Sequence, residues 1–329
     1  MKPLAQKLPA FVKDTTDLLN KIEEVNKEGP FPPGTLLVSW DVLSMFPNID
    51  NNLGLNAVRK ALENRQVQSP STDCLLEAVE LCLLNNNSQF GNLNFLQCMG
   101  TAMGPKNACS YADLAMGEID ELAKNGHEIK PMLWWRYRDD IVDLWVHGLP
   151  KLLEFTDFIN ALYPTIKFEL VYSQQTLNVL DVTMHLVDGF IQTDVYSKPT
   201  DSHLYLPPTS APPEHCKRAI PYSVALRLKR NCSNSSFLEK RNTQYKQYLV
   251  SQDYNSNLVF EKFKEVEEIP RSDLLKPKSN KEKCKVTPLV VDFNPNLPDV
   301  GKLIWKTYSC FTLLPFWGRF SRRKYYFGI

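Results

Sequence analysis

The run Met132-Leu133-Trp134-Trp135-Arg136-Tyr137-Arg138-Asp139-Asp140-Ile141-Val142-Asp143-Leu144-Trp145 constrains this chain more than any other stretch. Apolar residues stop at Trp135, restart at Ile141, and leave two adjacent carboxylates between them. That pattern predicts a hairpin with strand-like flanks and an acidic turn. Carboxylates crowded beside an apolar hairpin repel and raise one another's pKa unless a cation is near. A divalent metal with oxygen ligands is the natural compensation. An exposed acidic turn explains a bare Asp-Asp as simply, because turns favour Asp. A metal site therefore needs a third carboxylate from elsewhere.

Asp41 supplies one. Thr35 to Val42 reads as a buried strand ending in that carboxylate, followed by a compact turn, Leu43 to Ile49, and a helix from about Asn51 to Asn64. Such an Asp is ordinarily a cap or turn residue; it gains interest only if it faces Asp139 and Asp140 across a sheet. Ahead of it, residues 9–27 read as a helix with Asp14 or Thr15 as N-cap, and Gly29 to Gly34 break the chain. Further on come a helix from Thr72 to Leu84 and a hairpin from Gln89 to Cys98 around Gly91-Asn92. The loop Gln97 to Ala108, with Gly100 and Gly104, leads into an alanine-rich helix through Glu121. Glycines before a helix let backbone approach a planar or phosphorylated ligand closely. They equally mark a tight loop under a packed helix. A helix from Leu149 to Leu162, a strand from Ile166 to Tyr172 and a hairpin around Asp188-Gly189 complete this part. The order β-α-β-β-α-β from Thr35 to Tyr172 predicts an α+β fold: a palm subdomain, an antiparallel sheet with helices on one face.

Charge is divided along the chain. Residues 1–200 carry 16 Lys+Arg against 25 Asp+Glu, net −9, whereas residues 201–329 carry 22 against 12, net +10. An acidic half with metal-ligand candidates joined to a basic half suits a phosphate-rich partner; it also suits two halves that neutralise each other. The eight cysteines contain no CxxC pair, which argues against a zinc knuckle and for reduced thiols. The start has no signal-peptide core and no run reaches membrane-spanning length, so no membrane partner is expected. The expected location is intracellular, nuclear or cytoplasmic.

Asp41-Val42-Leu43-Ser44-Met45-Phe46-Pro47-Asn48-Ile49, Gly100-Thr101-Ala102-Met103-Gly104 and Tyr137-Arg138-Asp139-Asp140 stand in the order of reverse-transcriptase motifs A, B and C. The chain resembles the reverse transcriptases of Penelope-like retroelements, which are similar in turn to telomerase reverse transcriptase. Leu177 to Val182, Thr193 to Asp201 and Arg218 to Arg227 look like downstream blocks of the same group, and the resemblance runs from about Leu8 to Lys306. It implies an RNA-directed DNA polymerase: two-metal nucleotidyl transfer with Mg²⁺, or Mn²⁺ as an alternative ion, from dNTPs to a primer 3′-hydroxyl on an RNA template and DNA primer. By that resemblance Asp41, Asp139 and Asp140 are catalytic and hold the metals, with the Val42 carbonyl as a further ligand. Phe46 lies where these enzymes place a bulky side chain against the sugar 2′ position, although a Phe is also a common core residue. Gln97, Gly100 and Thr101 belong to the nucleotide site, and Gly104 and Tyr137 to nucleic-acid contact. Arg138 departs from the small or apolar residue commoner at its position; a cation there contacts nucleic-acid phosphate or pairs with a carboxylate. Lys198 lies in a downstream hairpin that grips the primer, or is simply solvated.

From Lys217 to Lys246 there are eight Lys+Arg and one acid. Two helices with a polar break at Cys232 to Ser236, the first introduced by Pro221-Tyr222-Ser223, resemble a helix-turn-helix in a thumb-like region. Lys217, Arg218, Arg227, Lys229 and Arg230 are the candidate phosphate contacts, against the alternative of a solvated basic face. The expected organisation is a helical remnant of the fingers (1–34), the palm (35–200), a basic helix-turn-helix-like thumb (201–266), a linker (267–288) and a C-terminal segment (289–329). Only 40 residues precede Asp41, without a triphosphate-binding block, and the GIY-YIG endonuclease of many Penelope-like elements is absent. The competing expectation is therefore a catalytically inactive, nucleic-acid-binding remnant of a retroelement enzyme.

Overall fold

The computed structural model describes residues 1–276 and the strands at 286–292, 312–316 and 322–328. The chain divides into two units, Met1–Tyr196 and Ser197–Ile329.

In the first unit the elements run α1 (Lys2–Ala5), α2 (Thr15–Asn26), β1 (Leu36–Val42), α3 (Met45–Asn48), α4 (Asn51–Glu63), α5 (Thr72–Leu84), β2 (Asn87–Phe90) and β3 (Leu93–Leu96). They continue with α6 (Ala108–Asn125), β4 (Trp135–Tyr137), β5 (Asp140–Trp145), α7 (Leu149–Leu162), β6 (Phe168–Ser173), β7 (Thr176–Val179), β8 (Val182–Val187) and β9 (Phe190–Val195). Four strands form a sheet in the order β4-β5-β1-β6, every neighbouring pair antiparallel. Asp14 caps α2 by accepting from the Asp17 N–H, and Asp50 and Ser71 do the same for α4 and α5.

β1 is buried along its length except at Asp41, with an apolar core face and a second face that turns polar at Ser39 and Asp41. Leu36, Val38, Trp40 and Val42 share the main core with residues of α4, α5, α6 and α7. Trp40 packs its ring 5.3 Å from Trp134 and 5.8 Å from Phe155 and donates to Thr156 Oγ1 at 3.0 Å. Leu37 stands opposite Leu144, and Ser39 opposite Val142, on the other face. There α2 supplies cover: its Lys21 Nζ lies 5.9 Å over the ring of Trp135, the cross-strand partner of Val142. α2 therefore lies against the second face as well, where Leu37 with Val142 and Leu144 of β5 and Trp135 of β4 supply apolar surface while β1 itself turns polar at Ser39 and Asp41.

The stretch 175–196 forms three strands, an antiparallel sheet β7-β8-β9, rather than one hairpin. The additional turn lies at Leu180-Asp181, where Leu180 takes φ +54°. Asp181 Oδ1 accepts from Thr15 Oγ1 at 2.5 Å, so this turn anchors the first residue of α2.

The second unit contains α8 (Glu214–Asn231), α9 (Ser235–Val250), α10 (Ser256–Glu267), α11 (Arg271–Leu275) and an antiparallel sheet β10-β12-β11, from β10 (Val286–Asp292), β11 (Thr312–Phe316) and β12 (Arg322–Gly328). Helices α8, α9 and α10 pack on one another around Ala225, Leu228, Tyr245, Leu249, Val259, Phe263 and Val266, all buried. Two sequence expectations need correction here. Pro221 does not introduce the first helix but sits buried inside it; Pro213 is the N-cap, where a missing N–H costs nothing. Residues 271–275 of the expected linker are helical with Leu275 buried, and residues 277–285 of it lie outside the described residues.

Candidate active site

Register, more than proximity in sequence, assembles the acidic end of the sheet. Tyr137 on β4 stands opposite Asp140 on β5, Asp140 opposite Asp41 on β1, and Asp41 opposite Glu169 on β6. Directly opposed residues of antiparallel strands project to the same face, so one cross-sheet row reads Tyr-Asp-Asp-Glu. Beyond it, Arg138 and Asp139 form the two-residue turn between β4 and β5. The exposed Asp139 folds back, its backbone oxygen accepting from the Val42 N–H at 3.0 Å. The three expected carboxylates therefore lie at one end of the sheet, Asp41 and Asp140 half-buried on one face and Asp139 at the turn, while the Val42 side chain points into the core behind them.

Burial, followed by the charges of Asp139 and Glu169, pushes the Asp41 carboxyl above its ordinary value. Like charges sharing a partly dry surface call for a counter-cation. Among the described residues, no three His, Cys, Asp or Glu side chains close round a common point. The donor set is nevertheless all carboxylate and carbonyl oxygen, the chemistry that suits Mg²⁺ or Mn²⁺ rather than softer metals. The chemistry of these donors would suit such an ion, although they do not gather into a three-ligand cluster.

The glycine loop docks directly on the turn after β1. The Thr101 N–H donates to Phe46 O at 2.9 Å, and the Gly100 N–H to Asn51 Oδ1 at 3.0 Å. Gly100 takes φ +73°, and a Cβ on it would lie 2.3 Å from Phe46 O and 2.5 Å from Pro47 O. Only glycine permits that approach. Gly104, at φ +135°, has nothing within 4 Å of the Cβ it lacks and stays exposed, so one end of the loop is clamped and the other is open. Phe46 is half-buried against the main core. Gln97 donates locally, from Nε2 to Met99 O at 2.8 Å.

Arg138 is not free. Its guanidinium pairs with Asp113 Oδ2 and donates to Cys109 O at 3.0 Å, both on α6. Of the two roles open to it in the sequence, pairing with a carboxylate is the one the structure takes. Lys217 also departs from expectation: it is buried, and its Nζ reaches Ser210 O at 3.1 Å, Pro208 O at 2.5 Å and Glu214 Oε1 at 2.9 Å. It closes the entry to α8 instead of offering charge outward. Arg218 and Lys198 are exposed, while Arg227 and Arg230 are half-buried. Lys229 Nζ donates to Glu267 O at 3.3 Å.

The animal helix-turn-helix domain model matches residues 204–264, the segment holding α8, α9 and most of α10. No curated protein matches the chain. Among solved structures, a telomerase from Candida albicans in complex with a TWJ fragment of telomeric RNA aligns with TM-score 0.53 at 12% identity, over 80% of this chain and 51% of its own. An insertion-loop deletion mutant of the RNA-dependent RNA polymerase of a human picobirnavirus gives TM-score 0.53 at 14% identity, over 83% and 55%. Apo telomerase from Candida tropicalis gives 0.50 at 12%, over 80% and 49%. The fold is polymerase-like. The chain spans about half the length of these structures.

Within this polymerase-like fold, Glu169 is the residue that sequence reading missed. Its strand was legible, but its place beside Asp41 depends on the β1–β6 register, which no local pattern encodes. Among the described residues no helix is long and apolar enough to cross a membrane.

Proposed function

We propose that the chain is the palm and thumb-like part of a reverse transcriptase of the Penelope-like retroelement type, an RNA-directed DNA polymerase using dNTPs, an RNA template and a DNA primer. The observation that carries this reading is the register of Asp41 against Asp140, with Asp139 at the adjoining turn, in a fold resembling telomerase. On this reading the sheet β4-β5-β1-β6 with α4 to α7 is the palm, and Asp41, Asp139 and Asp140, with the Val42 carbonyl, are the groups that would hold two Mg²⁺ ions. When bound, such ions lower the pKa of a primer 3′-hydroxyl and stabilise the departing pyrophosphate. The chain's own residues do the positioning. Phe46 bears on the sugar 2′ position and excludes ribonucleotides. Gly100 and Thr101, held to the Phe46 turn, line the nascent base pair, with Gln97 near the nucleotide. Tyr137 and the open end of the loop at Gly104 border the nucleic acid. Arg218, Arg227, Lys229, Arg230 and Lys198 bear on its phosphates, contacts that position without reading sequence.

The test is primer extension on an RNA template with Mg²⁺ and dNTPs, beside the Asp139→Ala/Asp140→Ala double variant. Extension lost in the variant, with discrimination against ribonucleotides relaxed in Phe46→Ala, supports the assignment. Salt-sensitive primer–template binding without any extension replaces it with the nucleic-acid-binding remnant.

A further inference from the structure

The turn that carries Asp139 is strained and externally held. Arg138, its first residue, takes φ +60°, a left-handed conformation costing an L-residue about 1–2 kcal/mol. Two-residue hairpin turns normally put glycine, Asn or Asp there. The compensation comes from α6. Asp113 and Asp120 lie seven residues apart on that helix, hence on one face of it, and both carboxylates are buried.

Arg136, buried to 1% exposure, donates from Nε to Asp120 Oδ1 and Oδ2 at 3.0 and 2.9 Å and pairs through its terminal nitrogen with Oδ2 at 2.8 Å. Its other terminal nitrogen donates to Arg138 O at 3.1 Å, gripping the peptide that leads into Asp139. Trp134 Nε1 donates to Asp120 Oδ1 at 2.9 Å. Arg138 reaches from the turn to Asp113 Oδ2 and to Cys109 O in the first turn of α6. That helix follows the loop whose Gly100 and Thr101 are bonded to Asn51 and Phe46. Contacts thus run from the Phe46 turn through the glycine loop and α6 to the acidic hairpin, and return to β1 through the Val42–Asp139 bond.

We propose that Arg138 and Asp113, backed by Arg136 and Asp120, form a clasp that fixes the position of Asp139 relative to Asp41. Arg138 is then a positioning residue for the reaction proposed above, on which this role rests, and not a contact to nucleic acid. A buried charged network of this kind is a costly way to stabilise a fold, since apolar residues of equal volume do as well. It is a good way to hold one geometry.

Hydrogen exchange at the Val42 N–H reports the clasp directly, because that group is bonded to Asp139 O. In Arg138→Met and in Asp113→Asn, exchange at Val42 rises at least about tenfold while Val38 and Ser39, in mid-strand, keep their rates. Arg138→Lys, which retains a cation, falls between wild type and Arg138→Met. In primer extension the same variants lose kcat by about 10- to 100-fold with KM for primer–template unchanged, and the double variant is no worse than the single ones. Unchanged Val42 exchange overturns the clasp, as does an equal rise along all of β1. Weakened primer–template affinity with unchanged kcat overturns it too, returning Arg138 to phosphate contact. The exchange arm needs no activity, so it decides the clasp even if the wild-type chain fails to extend a primer.

Discussion

Asp143 carries a consequence for stability that is separate from the acidic row three residues before it. It is fully buried, opposite Val38 on the core face of the sheet. Its Oδ1 accepts from the Leu133 N–H at 2.6 Å, while Oδ2 has no hydrogen-bond partner. Burial pushes its carboxyl up to about 7, against the pull of amide hydrogen bonds from Leu133 and its neighbours. The sign follows from proton binding: the folded chain holds this proton more tightly than the unfolded chain does. The stabilisation is therefore complete below the ordinary Asp value of 3.8 and is lost as pH rises through about 7. A difference of about three pKa units corresponds to roughly 4 kcal/mol, so the urea midpoint falls between pH 4.5 and 7.5. Asp143→Asn, neutral at every pH, flattens that dependence. If the two proteins respond to pH in parallel, Asp143 is ionised throughout. The buried polar atom is tolerated because the same side chain fixes the approach to β4, where Trp134 takes φ +51°.

At the scale of elements, local chemistry decides what could be read in advance. α5 and α7 begin and end where the sequence predicts, because Ser71 caps one and Gly148-Leu149-Pro150 opens the other. The acidic hairpin was legible from the interruption of an apolar run. Features fixed by distant partners were not: the Glu169 register and the commitment of Arg138 to Asp113. The β7–β8 turn and the burial of Lys217 are local, but no turn glycine marks the first and no difference from the other basic residues of α8 marks the second. α8 illustrates the limit, since its basic residues look equivalent in sequence and diverge in structure. Arg218 is exposed, whereas Lys217 is buried on carbonyl oxygens and Glu214. Arg218→Ala with Arg227→Ala lowers the slope of log affinity against log salt by about 2 and weakens binding alike on all sequences. Lys217→Ala leaves that slope unchanged and lowers the unfolding free energy by about 1–3 kcal/mol, through the carbonyls and the carboxylate left unpaired. Fluorescence anisotropy over a salt series, beside urea denaturation, separates the two. Equal slopes for wild type and the Arg218/Arg227 variant would remove α8 from the interface.

For the whole molecule, the division of charge and the acidic row express one tension. The half that carries the candidate metal ligands has net charge −9 over residues 1–200, and its row of carboxylates adds local repulsion to that excess. A fold selected for stability alone would not place Asp41 between Asp140 and Glu169. Sites that break a local rule are where function is expected. A divalent ion that binds the folded chain and not the unfolded one must then stabilise the whole chain by mass action. For a dissociation constant on the order of 1 mM, 10 mM Mg²⁺ contributes about 1.4 kcal/mol, which raises Tm by roughly 3–5 °C for a unit of this size. Asp41→Asn should do two opposite things. Without metal it raises Tm slightly, because Asp139 and Glu169 lose a like-charged neighbour; with Mg²⁺ it gains nothing further. Paired thermal melts with and without Mg²⁺ read both signs at once. A variant that loses stability in the absence of metal would mean that the Asp41 carboxylate stabilises the fold and is not strained by its charge. The row would then be an ordinary polar edge, and the case for a metal there would fall with it.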